Sequence, residues 1–360
     1  MPDPEPKLRG NGQWSGRAGL ILATIGSAVG LGSIWKFPYE VGENGGGTLV
    51  LIYGIGLLVV VLPLMLAEFA IGRRGGGDAI ASIQRLAAVA GEAQGGRWLG
   101  ALMLAAGFVI LSFYAVIGGL TLAYGAQAFG DGFDGLDAAG AARLFAARSG
   151  DALALAGWHA LFMALTIAIV ARGIERGIEA ACRLLMPVLA AIMLLLALHG
   201  AASGGFASTA EFLLAPRLEA VTPRAALEAL GLGFFSIGVG LGVLLTYAAH
   251  ARPGTPLGTV ALATLSVLAF SLWSEVRPLG FLPGFAEAGI LEALDRATSN
   301  LALPMAGFLL AIFAARLLGT PAVAAELGWP ARRVAALRAL LGWGVPGLIL
   351  AVAALGHLPV

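Results

Sequence analysis

Two short runs concentrate the residues able to hold a ligand, GSAVGLGS at 26–33 and FFSIGVGLG at 234–242. Each carries three glycines and at least one serine within nine positions. A glycine inside a helix costs about 1 kcal/mol relative to alanine, so both runs read as places where a helix breaks. The chemistry of such a break is ligation by backbone: released carbonyls and N–H groups, helped by serine hydroxyls, suit a hard cation, a carboxylate or an ammonium group. Glu68 and Tyr114 add a carboxyl and a phenol in the middle of apolar runs. The four histidines, His159, His199, His250 and His357, are scattered without metal-ligand spacing, so an enzyme is not expected.

The elements that position these residues must lie in a membrane. Hydrophobic residues make up 59% of the 360 and charged residues 12%, about half the charge of a soluble domain. The net charge of +1 offers no basic patch for nucleic acid. A single cysteine, Cys182, excludes an internal disulfide and reads as a buried structural thiol. The polar start, MPDPEPKLRGNGQWSGR, has no apolar core before a cleavage site and reads as a cytoplasmic tail.

Nine apolar runs approach the length of about 20 residues that crosses a bilayer: 18–40, 47–71, 98–128, 153–171, 180–201, 226–249, 257–273, 300–318 and 336–356. One set of loops holds Lys7, Arg9, Arg17, Arg73, Arg74, Arg172, Arg176, Arg332 and Arg333, while the opposite set is rich in Asp and Glu, as at Glu40, Asp137 and Glu211. The positive-inside rule then places the N-terminus in the cytoplasm and, with an odd span number, the C-terminus outside. The glycine runs fall in the first and sixth spans. Read singly, each also fits close helix packing through small residues; as a pair in corresponding halves they favour broken helices around a transport site at the midplane.

The run QWSGRAGLILATIGSAVGLGSIWKFPYEVGENGGG at 13–47, followed by PLMLAEFAIGRRGG at 63–76, closely resembles the first two helices of the neurotransmitter:sodium symporter family. SFY at 112–114, ARGIERGIE at 171–179 with Met186 and Pro187, FFS at 234–236 with LTY at 245–247, and LDRATSNLALPMAG at 294–307 continue the resemblance. It implies an all-α polytopic fold like that of the family's bacterial leucine transporter, built from inverted repeats. Only one apolar run, TPLGTVALATLSVLAFSLWS at 255–274, stands where the family has helices seven to nine. The second repeat is therefore expected to be incomplete, with about nine spans in all.

By this resemblance the substrate site comprises Ala28, Val29, Gly30, Gly32, Tyr114, Phe235, Ser236, Ile237 and Gly238. Gly30 stands where amine-transporting members carry an aspartate, which implies a substrate bringing its own carboxylate; Gly30 and Gly238 leave room for an apolar side chain, lined by Val29, Phe234, Phe235 and Ile237. Sodium is the implied ion, held by Gly26, Ala28, Val29, Ser33 and Ser236. Ser33 replaces the usual asparagine, and the ligands from helices seven and eight have no clear counterpart, although Thr264 and Ser266 could supply hydroxyls. A chloride site cannot be placed. The implied gates are Lys36 with Asp295 under the lid Phe235 on the outside, and Trp14 with Tyr247 on the inside, where Asn11 replaces the usual arginine. Glu68 matches a glutamate that supports broken helix six, a structural role favoured over proton coupling.

The expected organisation is a tail over 1–17, a first five-helix repeat over 18–201, a truncated second repeat over 202–318, and a cytoplasmic loop with the final span over 319–360. The expected function is sodium-coupled symport of an apolar amino acid across the cell inner membrane by alternating access. The alternatives are a non-transporting membrane module that binds a ligand or steadies a partner, and an inactive, deletion-bearing copy. The partners are an amino acid and the bilayer, with no nucleic acid; a homodimer could supply the missing scaffold.

Overall fold

A computed structural model describes residues 12–30, 32–89, 93–130, 133, 135–202, 206–217, 219, 221–251, 295, 297–319 and 326–356. Among them there are helices and no strands. The chain opens with α1 (Arg17–Ala28), a π turn at Gly32–Lys36 and α2 (Phe37–Glu43). Then come α3 (Gly47–Gly56), joined by a π turn at Leu57–Val61 to α4 (Leu62–Gly75), and α5 (Ala79–Val89). The next elements are α6 (Ala93–Ala128), α7 (Ala138–Gly150), α8 (Ala152–Val170), α9 (Ala180–Ala202) after a π turn at Ile174–Glu179, and α10 (Phe206–Leu214). α11 (Pro223–Ile237) and α12 (Val243–Ala249) follow, and α13 (Leu303–Leu317), α14 (Ala331–Ala339) and α15 (Val345–Gly356) complete the order.

Among the described residues, six continuous helical stretches are long and apolar enough to cross a bilayer: Gly47–Gly75, Gly96–Ala128, Ala152–Val170, Ile174–Ala202, Thr298–Leu317 and Ala331–Ala354. Arg17–Ala28 and Gly32–Glu43 form a further span bent by 58°. The sixth expected run is divided between α11 and α12. The run at 257–273, with Thr264 and Ser266, lies outside the described residues, as does Asn11. The chain is an integral membrane protein. Helices α8 and α9 agree with this: α8 has no buried residue and α9 buries only Gly200, leaving Leu153, Leu184 and Leu195 exposed as side chains that acyl chains can cover.

The core is built where small residues let helices approach. Gly72 of α4 packs on the Leu245 backbone of α12, Gly75 on Ser82 of α5, and Gly119 of α6 on the His159 backbone of α8. Gly26 faces the sulfurs of Cys182 and Met186 on α9, so the cysteine expected to be buried is half-buried against α1. These glycines serve close packing, as small residues do at transmembrane interfaces.

The breaks themselves are local consequences of sequence. Helical bonding in α1 ends with the Val29 N–H donating to the Ile25 carbonyl at 2.7 Å, and Val29 then leaves the helical region at φ −94° and ψ 77°. Beyond the break, the N–H groups of Ser33 and Ile34 both donate to the Gly30 carbonyl. In the sixth span Gly238, Gly240 and Gly242 adopt φ of 72°, 88° and 74°, a region that costs side-chain-bearing residues energy. A Cβ on Gly240 would also lie 3.3 Å from both the Ala306 Cβ and the Leu303 carbonyl oxygen. Gly240→Ala is therefore expected to destabilise the fold by about 1–3 kcal/mol. Denaturant unfolding of the purified protein in detergent checks this, and an unchanged midpoint would contradict it.

Candidate functional site between the broken helices

The two breaks meet. A Cβ on Gly32 would sit 2.6 Å from the Phe235 ring and 3.4 Å from the Ser236 Cα, so the helix-one break rests on the end of α11. A Cβ on Gly30 would sit 2.6 Å from the Tyr114 hydroxyl of α6, which brings the phenol to the same break. Gly238 lies across from Ser27, where a Cβ would stand 4.0 Å from the Ser27 Oγ. Ala28, Ser236 and Ile237 are buried, and Val29 and Gly30 half-buried. Phe234 is the exception among the expected lining: its ring packs against Gly307 of α13.

Oxygen atoms collect at this junction. The Ser33 hydroxyl, itself buried, donates to the Ala28 carbonyl at 2.7 Å. That carbonyl keeps a second lone pair. The Ser236 Oγ is buried beside the Tyr53 hydroxyl and makes no hydrogen bond of full geometry among the described residues. Hydroxyl and carbonyl oxygens with spare lone pairs are the donor chemistry that suits a sodium ion. Gly26 differs in position, turned toward α9, and only its backbone carbonyl is relevant to such an ion.

Glu68 explains how the second break survives in an apolar setting. Its side chain is fully buried, and its Oε1 accepts from the Gly240 N–H at 2.7 Å. The bond occupies a backbone group that the broken helix would otherwise leave unpaired, which hydrocarbon cannot solvate.

One end of the junction carries a buried charge network. Lys36 Nζ donates to Asp295 Oδ2 at 2.5 Å and to Ser299 Oγ at 3.0 Å, while the Ser299 hydroxyl donates to Asp295 Oδ1 at 3.1 Å. The ammonium also lies 5.2 Å from the Phe235 ring centroid, and that ring stacks on Phe113 at 6.3 Å. At the other end Trp14 is buried, donates its indole N–H to the Tyr247 carbonyl at 2.8 Å and meets the Tyr247 ring edge-on at 5.1 Å. Its backbone N–H donates to the His250 carbonyl at 3.2 Å.

Three contributors lie beyond the expected residues. Ser299 completes the outer pair, one helical turn after Asp295, a spacing that an i, i+4 search would find. Phe113 supports the lid, and its neighbour Tyr114 is the signal in the sequence. Glu179, buried at the start of the fifth span, accepts from the Ser15 N–H at 2.8 Å and from the Ser15 hydroxyl, and pairs with Arg183 at 2.7 Å. It fastens the chain next to Trp14; its place four residues before Arg183 is the only local hint.

Glu68→Leu leaves the Gly240 N–H without its partner and is expected to cost about 1–3 kcal/mol, whereas Glu68→Gln retains a carbonyl acceptor and costs less; equal losses for the two would contradict the assignment. Asp295→Ala strands a buried ammonium and is expected to cost about 3–5 kcal/mol. A Lys36→Met, Asp295→Leu double variant should recover most of that loss in the same unfolding assay, and additive losses would argue against a coupled pair.

A family model described as the sodium:neurotransmitter symporter family matches residues 11–134. An uncharacterized sodium-dependent transporter, YhdH of Bacillus subtilis, is 34% identical over 317 residues, covering 84% of this chain and 69% of its own. A second uncharacterized sodium-dependent transporter, from Methanocaldococcus jannaschii, is 32% identical, covering 77% of this chain and 55% of its own length. The sodium-dependent neutral amino acid transporter B(0)AT2 of Rattus norvegicus is 46% identical over 61 residues, 17% of this chain. Among solved structures, MhsT in complex with L-phenylalanine superposes with a TM-score of 0.86 at 26% identity, over 97% of this chain and 100% of that one. Paired broken helices, the Glu68 support and these likenesses lead to one assignment: the chain belongs to the sodium:neurotransmitter symporter family.

Proposed function

We propose that the protein is a sodium-coupled symporter of an apolar amino acid that works by alternating access. The single observation that carries this reading is the meeting of the two breaks at Gly30, Gly32 and Ser236 beneath the Tyr114 hydroxyl. An uncharged Gly30 leaves the substrate to bring its own carboxylate, for which the Tyr114 hydroxyl is a donor. Val29, Phe235, Ile237 and Gly238 supply apolar walls and space. The L-phenylalanine held by MhsT and the neutral amino acids named for B(0)AT2 support this substrate class.

Sodium is a co-substrate in this reading. The Ala28 carbonyl and the Ser33 and Ser236 hydroxyls are its ligands near the substrate, and the carbonyls of Gly26 and Val29 serve a second ion. The ion beside the substrate would offset the charge of its carboxylate. Transport then proceeds by releasing one closure at a time: the Lys36–Asp295 pair with the Phe235 lid outside, and the Trp14–Tyr247 contact inside. Rocking of the broken-helix bundle against the other spans is the accompanying motion.

The arginine-rich loops support a cytoplasmic N-terminus and an outside C-terminus in an inner membrane. The two repeats occupy 18–201 and 202–318, flanked by the 1–17 tail and the 319–360 segment. The partners are the amino acid and the bilayer, with a homodimer as the assembly that would complete the scaffold.

Uptake of radiolabelled L-phenylalanine and L-leucine into proteoliposomes tests the reading. An inward sodium gradient is expected to raise uptake at least tenfold over an equal potassium gradient, and Tyr114→Phe to lower the sodium-driven component by about tenfold, near the 1.4 kcal/mol of one hydrogen bond. Background uptake in both gradients would sink the symporter reading, and saturable binding without uptake would select the non-transporting module.

A further inference from the structure

We propose that the groove between α13 and α14 is a binding site for an anionic phospholipid, drawn from the leaflet on the arginine-rich side of the membrane. The groove encloses about 960 Å³, and its walls include Arg316, Leu318, Trp329, Arg338 and Trp343. Every charged residue among its described lining is an arginine. Sodium and amino-acid binding involve none of these side chains, so the site stands apart from the transport reading.

Its level in the membrane follows from the spans. Arg316 lies at the end of the stretch Thr298–Leu317, and Arg332, Arg333 and Arg338 lie in the first turns of Ala331–Ala354. The mouth of the groove is thus where hydrocarbon gives way to headgroups. Glu326, shortly before α14, approaches Arg73 at 3.9 Å, which puts the groove at the same end as the cations in the last turn of α4. Phosphodiesters occupy that depth.

The arginine geometry suits a phosphate. Arg338 Nε donates to the Ala315 carbonyl at 3.1 Å, and a Cβ on Gly319 would lie 3.1 Å from its Cζ. The guanidinium is therefore fixed across the end of α13, with its Nη fork lying outside that bond. A planar fork binds a phosphate through paired, charge-assisted hydrogen bonds. Deeper in the groove the surface turns apolar. Trp343 is five residues beyond Arg338, about 7.5 Å along a helix, and is 85% exposed. An indole so placed suits the glycerol and upper acyl region of a lipid, and Ile312 and Ala339 continue the wall. A soluble anion would leave this apolar half uncovered, whereas a phospholipid fills both halves.

Native mass spectrometry of the full chain, with phosphatidylglycerol or phosphatidylcholine of identical acyl chains added to the detergent, tests the site. Phosphatidylglycerol adducts are expected to exceed phosphatidylcholine adducts at least fivefold, and an Arg316→Gln, Arg338→Gln double variant to remove most of that preference. Arg316→Gln alone, which leaves the Arg338 bond to α13 intact, is expected to lower the adduct at least twofold, and Arg97→Gln on α6 to leave it unchanged. Equal retention of the two lipids, an unaltered preference in the arginine variants, or displacement of phosphatidylglycerol by millimolar inorganic phosphate would each overturn the proposal.

Discussion

At membrane depth a backbone N–H that leaves a helix has no water to turn to, and the Glu68 carboxylate supplies what the solvent does not. Its bond to the Gly240 N–H at 2.7 Å joins α4 to the interrupted sixth span. Several other features depend on it. The glycines at 238, 240 and 242 can hold left-handed geometry because they lack a Cβ, and Glu68 satisfies the Gly240 N–H that the turn leaves without a helical partner. α12 can lie against α4 with Gly72 on the Leu245 backbone, and α11 can end where its serine faces the helix-one break.

The closures at the two ends differ in kind. Around Lys36 a buried cation, a carboxylate and a serine form a network beside two stacked rings, so parting these groups would rehydrate charge. Around Trp14 an indole rests on a tyrosine and on backbone carbonyls, with Glu179 fastening the adjacent Ser15, so parting these groups would chiefly expose apolar surface. Lysine rather than arginine at position 36 gives the outer network a point charge instead of a planar fork.

Much of this arrangement was legible in the sequence because it rests on residues with few alternative uses. Three glycines within five positions at 238–242 each weaken a helix by about 1 kcal/mol, and a carboxyl group at 68 inside an apolar run needs a specific partner. The length of the apolar runs located most spans to within a few residues. What was not legible depends on rotation and tertiary contact. Phe234 and Phe235 are adjacent, yet one ring packs on Gly307 and the other on Phe113, a choice set by the register of α11. Cys182 reads as core by type, but α9 turns only one edge toward α1. The short helices α5, α7 and α10 lack a bilayer-length pattern, and the Ser15–Glu179 contact joins positions 164 residues apart.

In the proposed cycle the breaks bind a cation and an amino acid together at one junction. Equilibrium binding of labelled L-phenylalanine to the detergent-purified protein, titrated with sodium at constant ionic strength, addresses it most directly. The account predicts saturable binding whose affinity rises with sodium and is weakened when Ser236 is replaced by alanine. Binding of equal strength in sodium and potassium, or indifferent to Ser236→Ala, would contradict it.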